Sequence, residues 1–296
     1  MASLQFLRSR LRGVKATQKI TQAMKMVAAA KLKRATDRVH GMQPYVSALS
    51  DLLQRCLAGF DPAKLDVLRQ PANNDAPLYV VVGGERGLCG AFNGNLLRDA
   101  RQSFRRHRSL GQNWKIICFG KKPYDGLIRE FSNNFPASYE PTLWGRRPQL
   151  GGLNHVQAAD LATQLVDGFV AGRYSSVTLL YNRFVSTMRQ EPTHLQLLPL
   201  NLTSPDTNQL LVDDFEYSDP RPVLLEKLLA SYLAAQIYGV MLENAAGEQA
   251  ARMVAMDNAS RNAGKMISRL SLQYNRQRQS NITKEIIEIV SGAGAA

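Results

Sequence analysis

The stretch LRGVKATQKITQAMKMVAAAKLKRATDRV, residues 11–39, repeats its apolar and small residues in alternating steps of three and four. This spacing predicts a long helix that pairs with another helix as a coiled coil. A second apolar line, Ile20, Met24 and Val27, is typical of a helix with more than one neighbour. We expect the helix to run from residue 3 to about residue 57, kinked or broken at Pro44. The seam residues are Leu4, Leu7, Leu11, Val14, Gln18, Thr21, Lys25, Ala28, Leu32, Ala35 and Val39.

The other end of the chain carries a similar stripe. Pro222 is a residue favoured in the first turn of a helix, and no proline follows it as far as Ala296. Apolar and small residues recur at helical spacing, and Ile282, Ile286 and Ile289 are expected to close the line. Because a small domain cannot bury helices of this length, we expect the two chain ends to form an antiparallel coiled coil.

Between the two ends the period of the sequence changes. Buried-strand patterns occur at residues 78–82, 114–119, 176–185 and 193–200. Helical patterns occur at residues 95–108 and 155–171. The alternation predicts a Rossmann-like α/β domain with a largely parallel sheet. The predicted domains are an N-terminal coiled-coil helix at 1–60, the α/β domain at 76–205 and a C-terminal coiled-coil helix at 221–296.

The segment VVVGGERGLCGAFN, residues 80–93, looks like a phosphate-binding loop. However, Gly84, Gly87 and Gly90 recur every third residue, which is not the dinucleotide spacing G-x-G-x-x-G, and no Gly-Lys-Ser/Thr follows. Glu85 would also repel a pyrophosphate. We therefore expect a tight turn or a close approach to another chain, with no nucleotide and no cofactor bound.

The chain is strongly basic, with 37 Lys and Arg against 24 Asp and Glu and a formal net charge of +13. Such a balance favours nucleic acid, an anionic membrane surface or an acidic protein surface as partner. Nucleic-acid binding remains open as the alternative function, although Phe6 is the only aromatic platform within residues 1–40, the basic part of the N-terminal helix. The basic residues there are Arg8, Arg10, Arg12, Lys15, Lys19, Lys25, Lys31, Lys33, Arg34 and Arg38.

Patterns of catalysis and metal binding are missing from the sequence. The 3 cysteines and 4 histidines are scattered without metal-ligand spacing. No Ser/His/Asp arrangement or nucleophile elbow occurs. No uninterrupted apolar run reaches the roughly 18 residues that a membrane span needs. These observations predict a protein without catalytic residues or a metal site.

Four segments resemble the signatures of one family, the gamma subunit of F-type ATP synthase. KITQAMKMVAAAKLKRA (19–35) is similar to its N-terminal signature. MDNASRNAGKMI (256–267) and ITKEIIEIVSGAGA (282–295) are similar to its C-terminal signature, and ERGLCGAFN (85–93) to a further marked segment. The family commonly has Ser-Asp before Arg-Gly-Leu-Cys-Gly, where this chain has Gly-Glu.

The resemblance implies a central rotor shaft that makes no phosphate bond itself. In this family the coiled coil lies inside a hexamer of alpha and beta subunits. The α/β domain lies beside the epsilon subunit (delta in mitochondria) on the membrane c-ring, and proton flow through the ring drives ATP synthesis on beta. No nucleic acid and no small-molecule substrate are expected. The implied location is the cytoplasmic face of a bacterial inner membrane, with the matrix side of a mitochondrial inner membrane as the alternative.

The resemblance also implies which residues contact the hexamer. Two residues of the N-terminal helix, Met24 and Lys25, correspond to a segment that faces an acidic lever of a beta subunit. Arg86 and Cys89 lie in the loop that corresponds to a second segment facing this lever. Near the C-terminus, Arg278, Gln279 and Thr283 correspond to positions that engage a catch loop on alpha and beta. We expect the coupling to be spread over many such charge contacts, each of about 0.2–1 kcal/mol. The expected contact residues are Met24, Lys25, Arg86, Cys89, Arg278, Gln279 and Thr283.

Overall fold

The computed structural model describes residues 4–57, 76–136, 155–200 and 221–293. The chain divides into two compact units, Met1–Ala29 with Arg252–Ala296 and Ala30–Ala251, and both terminal helices contribute to each unit. A short 3₁₀ turn, Ser132–Asn134, follows the third helix. In chain order the elements are α1 (Leu4–Leu57), β1 (Leu78–Val82), α2 (Phe92–Ser109), β2 (Lys115–Phe119), α3 (Lys121–Phe131), α4 (His155–Val170), β3 (Val177–Phe184), β4 (Gln190–Leu198) and α5 (Arg221–Ala293).

The two terminal helices confirm the prediction of long helical ends. α1 has 54 residues and α5 has 73. Of the kink or break expected at Pro44, the break is wrong, because α1 is helical on both sides of this residue, and the kink stays a prediction. Pro44 is exposed, so water can reach the backbone carbonyl that its missing N–H leaves without a helical partner.

The seam predicted for α1 is buried or half-buried at every position, while most residues between its members are exposed. In the first unit, Lys25 contacts Asp257, and Gln18 lies against Gly264. Because an earlier residue of α1 meets a later residue of α5, the two helices run antiparallel, as predicted. The buried residues of this unit are Leu7, Thr21, Ala28, Met256, Ala263 and Leu270.

The sheet of the second unit has the strand order β2-β1-β3-β4. β1 pairs in parallel with β2 and β3, whereas β4 pairs antiparallel with β3, so the sheet is mixed. Along β1, Leu78, Val80 and Val82 enter one core and Val81 enters the other. Burial on both faces explains why this strand is a continuous apolar run in the sequence.

Helices cover both faces of the sheet. α4 and the middle of α5 pack on one face, and α2 and α3 pack on the other. By length and composition alone, α5 contains a stretch apolar enough to cross a membrane, Pro222–Ser291, although the sequence has no uninterrupted run of that length. Burial against the sheet accounts for its composition, since Leu233, Ile237 and Met241 belong to the core. A third cluster joins the end of α1 to the start of α5 through Leu53, Cys56, Leu225 and Leu229.

Two elements differ from the sequence prediction. α3 was not predicted, because Pro123 and Gly126 resemble turn residues, yet Pro123, Leu127 and Phe131 are buried at helical spacing. β4 begins three residues earlier than expected and contains Pro192. β4 lies at the edge of the sheet, where a strand tolerates a residue that cannot donate a ladder hydrogen bond.

Candidate functional site

The glycine loop, residues 83–91, joins β1 to α2, and its polar groups are bonded to four neighbouring elements, β2, α2, α5 and α3. The Gly83 N–H donates to the Phe119 carbonyl of β2 at 2.9 Å. The Gly84 N–H donates to Asn93 Oδ1 of α2 at 2.9 Å. Asn244 Nδ2 of α5 donates to the Gly83 carbonyl at 3.2 Å and is buried. With the two α3 amides that bond Glu85 and Gly84, the loop is held by the sheet and by three helices.

Glycine is required in this loop for close approach and for a left-handed backbone. A Cβ at Gly83 would lie 2.7 Å from Pro123 Cγ, and one at Gly84 would lie 2.9 Å from Asn93 Oδ1. Gly90 has φ 58° and Leu88 has φ 63°, an uncommon value for a residue with a side chain. This backbone presents the Leu88 side chain to solvent, where it is 63% exposed.

Glu85 places its carboxylate at the N-terminus of α3. Its Oε2 accepts a hydrogen bond from the Lys121 N–H at 3.1 Å, and the Gly84 carbonyl accepts one from the Lys122 N–H at 3.2 Å. These are the first amides of α3, at the positive end of the helix dipole, which attracts anions. The loop therefore supplies its own carboxylate to this end of α3. Its backbone makes a tight turn, as expected.

Arg86 and Cys89 lie in the same loop but in different surroundings. Arg86 is exposed, whereas Cys89 is buried. Asn93 Nδ2 donates to Cys89 Sγ at 3.2 Å, and the Cys89 thiol donates to the Arg86 carbonyl at 3.7 Å. Cys89 therefore supports the backbone from which the Arg86 side chain projects, and its thiol is not at the surface of the chain.

Lys25 connects α1 to α5 within the first unit. Its Nζ donates to Asp257 Oδ1 at 2.6 Å, and Arg261 Nη2 lies 3.0 Å from Asp257 Oδ2. The hydrogen bond from Lys25 and the charges of Arg261 and Lys25 hold the pKa of Asp257 below its ordinary value. Met24, beside Lys25, is half-buried.

The end of α5 presents both polar and apolar side chains to solvent. Arg278, Gln279 and Thr283 are exposed. The expectation that isoleucines close the seam is wrong, because Ile286 is 54% and Ile289 71% exposed. The antiparallel register joining Lys25 to Asp257 reaches the start of α1 before these residues, so α1 has nothing left to cover them.

Sequence reasoning missed the polar residues that α5 buries against the sheet. They lie in GVMLENAAGEQA, residues 239–250, where polar side chains interrupt an apolar run, and this was the available signal. A polar residue of β3, Asn182, is also buried, and its Nδ2 donates to the Phe92 carbonyl at 3.0 Å. Glu243 is half-buried, and its Oε2 has no hydrogen-bond partner among the described residues. Burial raises the pKa of Glu243 against the opposing effects of the Phe184 N–H and Arg183.

Among the described residues, no group of three or more His, Cys, Asp and Glu side chains is arranged to hold a metal ion. Cys56, Cys89 and Cys118 form no disulfide and are buried. Burial raises the pKa of the Cys118 thiol, which disfavours the thiolate that binds metals.

Comparison with known proteins shows that the chain matches one protein family over nearly its whole length. A sequence model described as ATP synthase matches residues 3–296. The ATP synthase gamma chains of Methylobacterium nodulans and Gluconacetobacter diazotrophicus are 45% and 43% identical to the chain, and each match covers 100% of both proteins. These relatives give no support to the nucleic-acid-binding alternative.

Solved structures show the same architecture. The central stalk and c-ring structure of Tetrahymena thermophila mitochondrial ATP synthase contains a chain 26% identical to this one, with a TM-score of 0.56, covering 81% of this chain and 99% of that chain. A chain of Euglena gracilis mitochondrial ATP synthase has a TM-score of 0.65 over 99% of this chain and 94% of its own, and at 19% identity it supports the fold alone. From its full-length match to these relatives, the chain belongs to the ATP synthase gamma-chain family.

Proposed function

We propose that the chain is the rotor shaft of a proton-translocating F-type ATP synthase and transmits rotation of the membrane c-ring to the alpha/beta hexamer. The observation that carries this proposal is the antiparallel pairing of α1 with α5 along a buried seam in the first unit. Twisting one helix against the other would shear these contacts, so a paired shaft transmits torque better than a single helix.

The chemistry of its glycine loop supports a non-catalytic role for this chain. A nucleotide phosphate would need free amides at a helix N-terminus. Here the first amide of α3 is bonded to Glu85, and the Gly83 and Gly84 amides are bonded to neighbouring elements. In this proposal the chemistry of ATP synthesis belongs to the beta subunits, and the loop is a contact surface.

The exposed side chains support contact with the hexamer. Arg86 projects from a loop whose backbone is held by four neighbouring elements, so a force on this side chain passes to the sheet and to α5. Met24 and Lys25 lie in the segment proposed to face the same acidic lever, although the Lys25 ammonium is also bonded to Asp257. Arg278, Gln279 and Thr283 are proposed to engage the catch loop.

Apolar side chains extend the proposed contact surface beyond the charges. Two residues of the second line of α1 lie at the surface of the described chain, Ile20 with 60% and Val27 with 56% exposure, whereas Met24 is half-buried. The last turns of α5 expose Ile286, Ile289 and their neighbours. Exposed apolar surface of this kind marks interaction sites, and we propose that the inner wall of the alpha/beta hexamer covers it.

The α/β domain is proposed to contact the epsilon subunit and the c-ring, within the three-part division 1–60, 76–205 and 221–296. The proposed location is the cytoplasmic face of a bacterial inner membrane, because the relatives of full length are bacterial. The net charge of +13 also favours the anionic cytoplasmic leaflet.

The test is copurification followed by measured rotation. A tagged chain expressed with the alpha, beta and epsilon subunits should copurify with all three, and a probe fixed to it should rotate when ATP is hydrolysed. Arg86→Glu should lower the rate of ATP synthesis several-fold, because the substitution turns one attractive charge contact into a repulsive one. Arg98→Glu, at an exposed arginine of α2, is the matched control and should change little. Failure of the unmodified chain to copurify with alpha and beta would reject the proposal.

A further inference from the structure

A charged contact lies between the two shaft helices in the first unit. Lys25 Nζ and Asp257 Oδ1 are 2.6 Å apart although 232 residues separate them in sequence. Asp257 uses its second oxygen for Arg261, one turn further along α5. The side chains of Lys25 and Asp257 are 44% and 30% exposed, so the contact lies at the boundary of the seam.

Apart from Met256, which is buried beside Asp257, the seam around this contact is made of small or polar side chains. Thr21 and Ala28 flank Lys25 on α1, and Ala263 lies beyond Asp257 on α5. One heptad from the charged pair, Gln18 lies against Gly264. Small side chains interdigitate only shallowly, so sliding one helix along the other changes their packing energy little. In coiled coils a polar residue at a seam position is what fixes the register in such a case.

We infer that the Lys25–Asp257 contact fixes the axial register of the two shaft helices, and that Lys25 acts on coupling through Asp257. Lys25 is thus a positioning residue for torque transmission. This inference rests on the proposed function, because coupling is the property on which it predicts an effect. It differs from a direct contact of Lys25 with the beta lever, since the sign of the two charges could be exchanged without loss.

The experiment is a charge-swap cycle in the assembled complex. Lys25→Asp and Asp257→Lys each place like charges together, and the double variant restores an opposite pair with its polarity reversed. Two quantities are measured in each variant. The first is the coupling, given as the rate of ATP synthesis driven by a proton gradient relative to the rate of ATP hydrolysis. The second is the yield of an oxidative cross-link between cysteines introduced by Gln18→Cys and Gly264→Cys, which reports the register without touching either charged residue.

Each single reversal should lower both quantities by about threefold or more, and the double variant should restore both to within about twofold of the unmodified chain, as expected for directly coupled residues. Lys19→Asp, at an exposed position of α1, changes the charge of the helix equally and should leave the cross-link yield unchanged. Where a reversal prevents folding, Lys25→Gln and Asp257→Asn should lower the same quantities less.

Two results would overturn the inference. An unchanged cross-link yield in Lys25→Asp and Lys25→Gln would show that the register does not depend on the contact. Restored cross-linking with coupling still low in the double variant would show that a positive charge is needed at residue 25 itself, which is the direct lever contact. Both results differ from failure of the proposed function, in which the unmodified chain does not assemble with alpha and beta.

Discussion

At the scale of single residues, Gly247 shows how closely α5 packs on the sheet domain. A Cβ at this position would lie 2.9 Å from Cε2 of Phe92, a buried side chain, whereas a Cβ at Gly239 in the same helix would meet nothing within 4 Å. Alanine is favoured over glycine in a helix by about 0.5–1 kcal/mol. Gly239→Ala should therefore raise the free energy of unfolding by that amount.

Gly247→Ala should instead lower the free energy of unfolding by about 1–3 kcal/mol, the range for a core forced to accept an extra group. Urea denaturation of the two variants measures the difference. Equal stabilisation by both alanines would show that Phe92 moves aside without cost, which would contradict close packing at this point.

Glu243 should make stability depend on pH above the ordinary pKa of a glutamate. Burial raises its pKa, so the folded chain binds the proton more tightly than the unfolded chain does, and stability is lost as the pH rises through the folded pKa. Glu243→Gln removes this loss and should stabilise the chain at pH 7–8 by on the order of 1 kcal/mol. The gain should vanish near pH 4, where the carboxyl is protonated in both states.

The control for this prediction is Glu226→Gln, an exposed residue of the same helix. Thermal melts of both variants across the pH range give the comparison. A gain for Glu243→Gln that persists unchanged at pH 4 would assign the effect to packing instead of ionisation.

Asp257 should act in the opposite direction. Its pKa is lowered by Lys25 and Arg261, so its contribution to stability is present above the ordinary aspartate pKa and is lost as the pH falls through the lowered value. In Asp257→Asn, unfolding on acidification below about pH 4 should depend less steeply on pH. Acid titration followed by circular dichroism measures the slope, and an unchanged slope would contradict a role of the carboxylate in pairing the helices.

At the scale of elements, the glycine loop depends on a side chain from α5. Asn244→Ala removes the donor to the buried Gly83 carbonyl and should cost about 1–3 kcal/mol. It should also speed amide hydrogen exchange at residues 83–90, because the loop loses one of its four supports. Asn262→Ala, at an exposed residue of α5, is the control. Exchange in the loop that is unaltered by Asn244→Ala would show that β2, α2 and α3 hold it without α5.

Elements with a regular apolar period were predictable from the sequence, and elements that depend on tertiary contacts were not. The seam of α1 and the strand 78–82 follow from local spacing alone. α3 contains Pro123 and Gly126, and it is helical because Leu127 and Phe131 are buried under α2. The loop was predicted as a tight turn, but its bonds to Asn244 and Lys121 join residues distant in sequence, so no local pattern shows them.

At the scale of the whole molecule, apolar side chains are divided between folding and assembly. Ile286 and Ile289 are exposed on α5, while Leu270 of the same helix is buried. Ile286→Glu with Ile289→Glu should change the free energy of unfolding of the isolated chain by less than about 0.5 kcal/mol, as surface substitutions do. In coexpression, the same variant should lower the yield of complex with alpha and beta several-fold.

Leu270→Glu is the matched control, since it introduces the same charge into the buried seam and should cost more than about 2 kcal/mol in the isolated chain. Circular dichroism melts and copurification yields separate the two effects. Normal assembly of the double isoleucine variant would show that this end of α5 is not covered by the hexamer.

The antiparallel pairing of the chain ends has a consequence during protein synthesis. Residues 25 and 257 are 232 positions apart, so at translation rates of about 5–20 residues per second the second emerges from the ribosome roughly 10–50 s after the first. Throughout that interval the N-terminal segment lacks the helix that covers its seam, so its leucines and methionines stay uncovered. We expect its ten lysines and arginines to repel the same segment of a neighbouring nascent chain and so to disfavour association before the partner helix is made.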